Sequence, residues 1–363
     1  MALDDPIDTG RFAGPGPRGG TIRVMVVDDS VTARAVFSRV IAPEPDMDIV
    51  ALASTAEEAL ATLPSIPVDV ILLDLEMPGR GGLDALPDML ACARGAQVLV
   101  VSTLTKAGAE ATLRALSLGA ADTLEKPHPG CFDSAYREEL VKRVRTLGAK
   151  SGKTVPPSSL PIRTAGGLAR KKRPKILAIG ASTGGIHALR AFFDELPRCI
   201  GIPILITQHL PSSFMAPFAE QIASFSHRPA AVAQDGAVLQ PDEVLVAPGH
   251  AHITVVERRS RFEVRLDERS AASGCRPSVD PMLASLAAVT DGHALAVILS
   301  GMGRDGAIGA SDLHAAGGTL MVQDEASSAV WGMPGAIARA GLASQVLPPE
   351  QLARQVPVSV DAA

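Results

Sequence analysis

The segment KILAIGASTGGI, Lys175 to Ile186, constrains this chain more than any other stretch. Ile176, Leu177, Ala178 and Ile179 form a short unbroken apolar run, the pattern of a parallel strand covered on both faces. Gly180, Gly184 and Gly185 then give the backbone freedom for a sharp turn, and Ile186 to Leu196 reads as a helix. Ser182 sits at the crest in the pattern G-x-S-x-G. A serine there is pushed beyond the sheet's carboxyl edge, with the N–H groups of a starting helix behind it. That suits a nucleophile, because those N–H groups can stabilise an oxyanion. The same turn also suits phosphate binding or a plain serine N-cap, so the segment alone leaves three readings open.

A chain of 363 residues suggests two domains, sometimes three. At 47% hydrophobic and 20% charged it has the make-up of a soluble globular protein with ample core. No apolar run reaches the roughly 18 residues of a membrane span, so no direct membrane insertion is expected. Residues 1–20 are acidic and then Gly/Pro-rich. They read as a disordered tail with no export signal, which points to a cytoplasmic protein. Cys92, Cys131, Cys199 and Cys275 are widely scattered. They suggest reduced thiols rather than a zinc site or a disulfide framework. A net charge of −5 argues against nucleic acid as a partner. Residues 148–173, rich in Gly, Pro, Ser and basic side chains, read as a flexible linker between two domains, 21–147 and 174–363.

In the first domain strands alternate with helices. The expected strands are TIRVMVV, MDIVALA, VDVILLD, QVLVVS and Asp122 to Leu124. The expected helices are Val31–Ile41, Ala56–Leu63, Leu83–Cys92, Ala107–Leu118 and Ser134–Leu147. Five such units imply a doubly wound parallel sheet with its function at the strands' carboxyl ends. Asp28 and Asp29 follow strand one and Asp74 follows strand three. Ser102 and Thr103 follow strand four, and Lys126 follows strand five. Three carboxylates brought together repel one another unless a hard cation joins them, and Mg²⁺ prefers such oxygen ligands. With Mg²⁺ bound, one carboxylate can attack a phosphoryl donor. A lysine and a hydroxyl can then hold the phosphoryl oxygens.

VVDDS at 26–30, DVILLDLEMPGRGGLDAL at 69–86, VVSTLT at 100–105 and EKP at 125–127 together resemble a response-regulator receiver domain. The resemblance implies a flavodoxin-like five-stranded sheet. It implies phosphorylation of Asp74 from a histidine kinase, and Mg²⁺ held by Asp28, Asp29, Asp74 and the Glu76 backbone carbonyl. Ser102 matches the hydroxyl that senses the phosphate, and Lys126 the family lysine. Thr123 departs from the pattern, since many receivers carry an aromatic switch residue there.

The second domain is then an output. From Pro174 onward thirteen Lys and Arg face eighteen Asp and Glu, and no helix-turn-helix pattern appears, so a DNA-binding output is not expected. Apolar strands IPILITQHL and HALAVILSGMG lead to His209 and to a glycine-rich loop with Asp305. Between them lies a β-rich region (AAVAQ, EVLVAPG, HITVVE, FEVRLD) and a helix from Asp280 to Thr290, with Asp280 read as its N-cap. In a mainly parallel sheet Ser182, His209 and Asp305 share one edge and can converge. Ser182 would attack an acyl carbon, His209 would relay the proton, and Asp305 would orient the imidazole. The order Ser–His–Asp excludes the α/β-hydrolase fold, whose order is Ser–Asp–His. His187, His250 and His252 are rival histidines, the last two as possible metal ligands. Asp235, Asp280 and Asp324 are rival acids.

IGASTGG at 179–185, QHLP at 208–211, APG with His252 at 247–252, RPSVDPM at 276–282, LSGMGRDG at 299–306 and QDEASSAVWGMP at 323–334 resemble the chemotaxis protein-glutamate methylesterase domain, the CheB family, in family order. The resemblance implies hydrolysis of glutamyl methyl esters on methyl-accepting chemotaxis receptors, with no cofactor for that reaction. Many members also deamidate receptor glutamines. It implies a Ser182, His209 and Asp305 triad, with an oxyanion hole from the N–H groups of Thr183 and Met302. The expected control is release, on Asp74 phosphorylation, of a receiver packed against the esterase edge. Two other classes stay in view: a phosphate- or nucleotide-binding output, and a non-catalytic adaptor that docks receptors or the kinase as a phosphate sink.

Overall fold

The computed structural model describes residues 20–102, 106–126, 133–149 and 173–357. Most of the expected tail and linker, with Thr103 and Cys131, lies outside them. The first sheet comprises β1 (Ile22–Val27), β2 (Met47–Ala53), β3 (Val70–Asp74), β4 (Gln97–Ser102) and β5 (Asp122–Glu125), all parallel, in the order β2-β1-β3-β4-β5. Helices α1 (Val31–Ile41), α2 (Ala56–Thr62), α3 (Gly82–Cys92), α4 (Lys106–Leu118) and α5 (Ser134–Gly148) alternate with the strands. Ser30, Thr55 and Asp133 cap α1, α2 and α5 by accepting a backbone N–H, so each helix starts where its side chain satisfies an otherwise orphaned donor.

The second sheet has seven strands, all paired in parallel, in the order β14-β13-β12-β6-β7-β9-β8. Its strands are β6 (Ile176–Ala181), β7 (Ile204–Gln208), β8 (Ala230–Val232), β9 (Val244–Val246), β12 (Ala294–Ile298), β13 (Thr319–Gln323) and β14 (Gln345–Leu347). The expected β-rich region therefore divides. AAV and VLV join the large sheet, whereas β10 (His252–Arg258) and β11 (Arg261–Asp267) form a separate antiparallel hairpin. Around the sheet lie α6 (Gly185–Glu195), α7 (Ser212–Ser226), α8 (Val279–Val289), α9 (Ala307–Ala315), α10 (Met333–Arg339) and α11 (Pro349–Arg354). Every residue of β6 is buried, as a central parallel strand requires. The expected helix from Asp280 starts one residue earlier. Its N-cap is Ser278, which accepts from Asp280 N, while Asp280 Oδ1 accepts from Gly309 N and ties α8 to α9.

The two units pack through α4. Its Leu113 and Leu116 are buried in one apolar cluster with Ile186 and Leu189 of α6 and Phe214 and Phe218 of α7. Gln221 Nε2 donates to Leu113 O at 3.1 Å. Arg190 Nη1 donates to Ser117 Oγ at 3.3 Å, and His187 Nδ1 lies 3.2 Å from Ser117 O.

Gly184 closes the turn after β6 at φ +75°, where L side chains are strained. A Cβ there would also press on Ala329 Cβ and come within 2.8 Å of Ser300 Oγ. Gly236 has a similar φ of +81° but open space around it. Gly184→Ala should cost both penalties, about 2–4 kcal/mol, and Gly236→Ala only the conformational one, about 1–2 kcal/mol. Denaturant midpoints of the two variants check this, and equal losses would contradict it.

Candidate active site and phosphate-acceptor pocket

The second site grows from strand register. Ala181 of β6 stands opposite Gln208 of β7, so Ser182 and His209 leave the sheet side by side. His209 N donates to Ala181 O at 3.1 Å. On the other flank Ile298 of β12 pairs with Gly180, and the loop that follows carries Asp305 to the N-terminus of α9. Gly301 in that loop touches the nucleophile turn: a Cβ on it would lie 3.0 Å from Ser182 Cβ. The Ser182 backbone is fixed from both sides. Its N–H donates to Ser300 O at 3.0 Å and its carbonyl accepts from Gln208 Nε2 at 3.0 Å. Ser300 Oγ in turn donates to Thr183 O at 2.7 Å.

His209 Nε2 meets Asp305 Oδ2 at 2.8 Å. Nδ1 is the ring nitrogen that Asp305 does not engage, and Cys275 also hydrogen-bonds with the ring. Asp305 is almost fully buried and its carboxylate takes two further bonds, from Ser278 Oγ at 2.6 Å and Val279 N at 2.7 Å. Burial opposes the Asp305 carboxylate, yet the bonds from His209, Ser278 and Val279 outweigh it and lower its pKa to about 2. Burial likewise opposes the imidazolium, but Asp305 and the neighbouring Cys275 outweigh it and raise His209 to about 9. Among the described residues no hydrogen bond joins Ser182 Oγ to the ring. Among the described residues neither Thr183 N nor Met302 N donates to a backbone carbonyl outside helices and strands.

The rival candidates have other roles. His252 is buried: Nε2 donates to Arg269 O at 2.7 Å and Nδ1 accepts from Ser278 N at 2.8 Å. Both ring nitrogens are occupied, which removes it as a metal ligand and makes it a support for Ser278. His250 is exposed. Asp235 pairs with Arg265 at the surface, and Asp324 accepts from Ser327 N. Sequence reasoning missed Gln208, Ser278, Ser300 and Cys275. The readable signal for Gln208 and Ser300 is a polar residue closing an otherwise apolar strand.

In the first unit, Asp28, Asp29 and Asp74 each offer a carboxylate oxygen, all within 4.8 Å of one another. An all-oxygen donor set of this kind fits Mg²⁺. Lys126 Nζ lies 2.6 Å from Asp74 Oδ2 and 3.0 Å from Asp28 Oδ2. Burial lifts the Asp74 carboxyl above its ordinary range against the pull of Lys126. Glu76 N donates to Asp74 Oδ1 at 3.1 Å, which brings the Glu76 backbone to the pocket. Ser102 Oγ is turned away to a buried bond of 2.7 Å with Thr112 Oγ1 of α4. At the amino end of β5, the opposite edge from this pocket, the first unit meets the Ser182 turn. Gly184 N donates to Ala121 O at 2.6 Å, and Thr183 Oγ1 donates to Asp122 Oδ2 at 2.7 Å. Arg143 of α5 pairs with the same Asp122 oxygen at 2.9 Å.

Known proteins share these features. The CheB methylesterase family profile matches residues 177–356, and the response regulator receiver profile matches residues 24–133. The protein-glutamate methylesterase/protein-glutamine glutaminase of group 2 operon of Bradyrhizobium diazoefficiens is 40% identical, covering 95% of this chain and 95% of its own. Protein-glutamate methylesterase/protein-glutamine glutaminase 2 of Caulobacter vibrioides is 44% identical over 91% of this chain and 96% of its own. The solved CheB methylesterase catalytic domain of Thermotoga maritima is 33% identical and covers 50% of this chain and 97% of that one, with a TM-score of 0.49. A receiver joined to an α/β unit of methylesterase type makes a response regulator with an enzymatic output. The chain belongs to the CheB family of protein-glutamate methylesterases. No helix among the described residues is long and apolar enough to cross a membrane.

The His209–Asp305 pair has a pH signature. A histidine raised from 6.5 to about 9 contributes stability that is complete below pH 6.5 and is lost as pH rises through about 9. A ring-proton titration by NMR should place His209 well above 6.5. Asp305→Asn should bring it to 6.5 or below, because burial is then opposed far less.

Proposed function

We propose that the chain hydrolyses glutamyl methyl esters on methyl-accepting chemotaxis receptors in the cytoplasm, releasing methanol, and deamidates receptor glutamines at the same site. The observation that carries this reading is the 2.8 Å His209–Asp305 bond at the carboxyl edge, next to the Ser182 turn. Family membership supplies the substrate class.

Ser182 Oγ attacks the ester carbonyl carbon while His209, in its neutral form, takes its proton at Nδ1. The tetrahedral oxyanion is met by the N–H groups of Thr183 and Met302, each such donor being worth on the order of 10²–10³ in rate. His209 then gives the proton to the departing methoxide, or to the amide nitrogen when glutamine is the substrate. Water attacks the resulting acyl-Ser182 with His209 again as base, and glutamate leaves. Asp305 holds the ring and offsets the imidazolium charge through both steps. The esterase steps need no cofactor, because proton transfer and oxyanion binding all fall to these residues.

Control by phosphorylation fits the contacts between the units. The chemotaxis histidine kinase supplies a phosphoryl group to Asp74; Asp28, Asp29, Asp74 and the Glu76 carbonyl would hold a Mg²⁺, which would offset the charge there. Lys126 and Ser102 take the phosphoryl oxygens. For Ser102 this means leaving Thr112, so the bond that ties β4 to α4 is lost on phosphorylation. Helix α4 is the element that packs on α6 and α7, and Thr123 occupies the place where an aromatic switch would sit. The Ser102–Thr112 pair therefore takes over the coupling. Release of α4 withdraws Ala121 and Asp122 from the Ser182 turn and opens the site.

Two outcomes follow. Ser182→Ala should cut methanol release from methylated receptor fragments by roughly 10⁴-fold or more while leaving the fold intact. Undiminished release would return the turn to phosphate binding or capping. Thr112→Val removes the Ser102 bond without changing shape. It should raise activity in the unphosphorylated protein and shrink the activation given by a small-molecule phosphodonor, and an unchanged ratio would contradict the relay.

A further inference from the structure

Cys275 lies where neither the receiver chemistry nor the esterase mechanism uses it. Its Sγ, a carboxylate oxygen of Asp305 and a ring nitrogen of His209 all lie within 4.8 Å of one another. The thiol hydrogen-bonds with the His209 ring and makes a long contact of 3.9 Å to Ser273 O. The His209 side chain is 16% exposed and that of Asp305 1%, so the cluster has its open side at His209.

We propose that His209, Cys275 and Asp305 form a site for a borderline-soft divalent cation, Zn²⁺ foremost, whose binding switches the esterase off. The donors are one nitrogen, one sulfur and one oxygen. Sulfur disfavours Mg²⁺ and Ca²⁺ and suits Zn²⁺, whereas the three carboxylates of the receiver pocket have the opposite preference. Ligand atoms around a tetrahedral Zn²⁺ stand about 3.3–3.6 Å apart. The 2.8 Å His209–Asp305 contact then has to open by about half an ångström to admit the ion. Ser278 Oγ and Val279 N already hold the Asp305 carboxylate from behind. Such outer partners orient a ligand and strengthen the site. The fourth position faces the open side and takes water. On binding, the Cys275 thiol gives its proton to solvent, and the neutral imidazole presents Nε2 to the metal with its own proton moved to Nδ1. His209 is then pinned to the metal and can no longer orient on Asp305. The switching effect rests on the catalytic role proposed for His209; the binding does not.

The test uses the full chain with excess Mg²⁺, which keeps the receiver pocket filled. Titration with Co²⁺ should give a thiolate-to-cobalt charge-transfer band saturating at one equivalent, and Zn²⁺ should remove it. Cys275→Ser should abolish the band, while Cys92→Ser and Cys199→Ser keep it. Zn²⁺ should also inhibit ester hydrolysis reversibly, with chelator restoring activity. In Cys275→Ser the zinc concentration for half-inhibition should rise by roughly tenfold or more. In the unmutated protein, Zn²⁺ should slow alkylation of Cys275 but not of exposed Cys199, read by mass spectrometry. A cobalt band that survives Cys275→Ser, or alkylation of Cys275 indifferent to Zn²⁺, overturns the site. Equal inhibition of the wild type and Cys275→Ser overturns the switch. If no ester hydrolysis is found at all, the esterase reading fails, and the band and alkylation still decide the metal site.

Discussion

The Asp305 carboxylate is the point on which the second unit depends. It is nearly fully buried, and a buried charge without partners costs several kcal/mol. Its three partners come from two separate parts of the chain: His209 beyond β7, and Ser278 with Val279 N at the start of α8. Ser278 is itself placed by His252 at the head of the β10–β11 hairpin. The hairpin, α8, β7 and the loop after β12 are thus assembled around one negative charge. That same charge sets the orientation and basicity of the imidazole beside Ser182. Stability and chemistry draw on a single set of hydrogen bonds, so a substitution at Ser278 or His252 reaches the active site without touching a substrate.

The Ser182 turn has a second dependency. Its backbone is gripped from within by Ser300 and Gln208. From the receiver side, Ala121 takes the Gly184 N–H and Asp122 takes the Thr183 hydroxyl. Thr183 supplies one of the two proposed oxyanion donors. The receiver in this arrangement therefore holds the peptide that carries the proposed Thr183 donor. Asp122 is shared with Arg143 of α5, which makes the contact sensitive to shifts of either helix that flanks β5.

Much of this was legible in the sequence because parallel α/β units write themselves plainly. Helix α1 and strands β2 and β4 fall at the residues where their periodicity and flanking signals put them. Carboxyl-end geometry brought His209 and Asp305 to one edge. What the sequence hid is long-range or angular. Asp280 has the composition of an N-cap, but Ser278 wins the position and frees Asp280 to bind Gly309 N. A one-residue shift of that kind lies below the resolution of propensity. His252, suspected as a metal ligand, proves to be a buried brace, because nothing local reveals that its two nitrogens face Arg269 and Ser278. Thr112 gave no signal, since its partner lies across the strand–helix packing. Cys275 was set aside for lack of C-x-x-C spacing, a test blind to ligands assembled from three distant segments.

The measurement that bears most directly on a serine nucleophile gated by the receiver is the labelling rate of Ser182 by a small fluorophosphonate, followed by peptide mass spectrometry. Label on Ser182 alone, dependent on His209 and faster when Asp74 is phosphorylated, is the predicted result. Label at other residues, or on Ser182 at a rate indifferent to both His209→Gln and the phosphodonor, would contradict it.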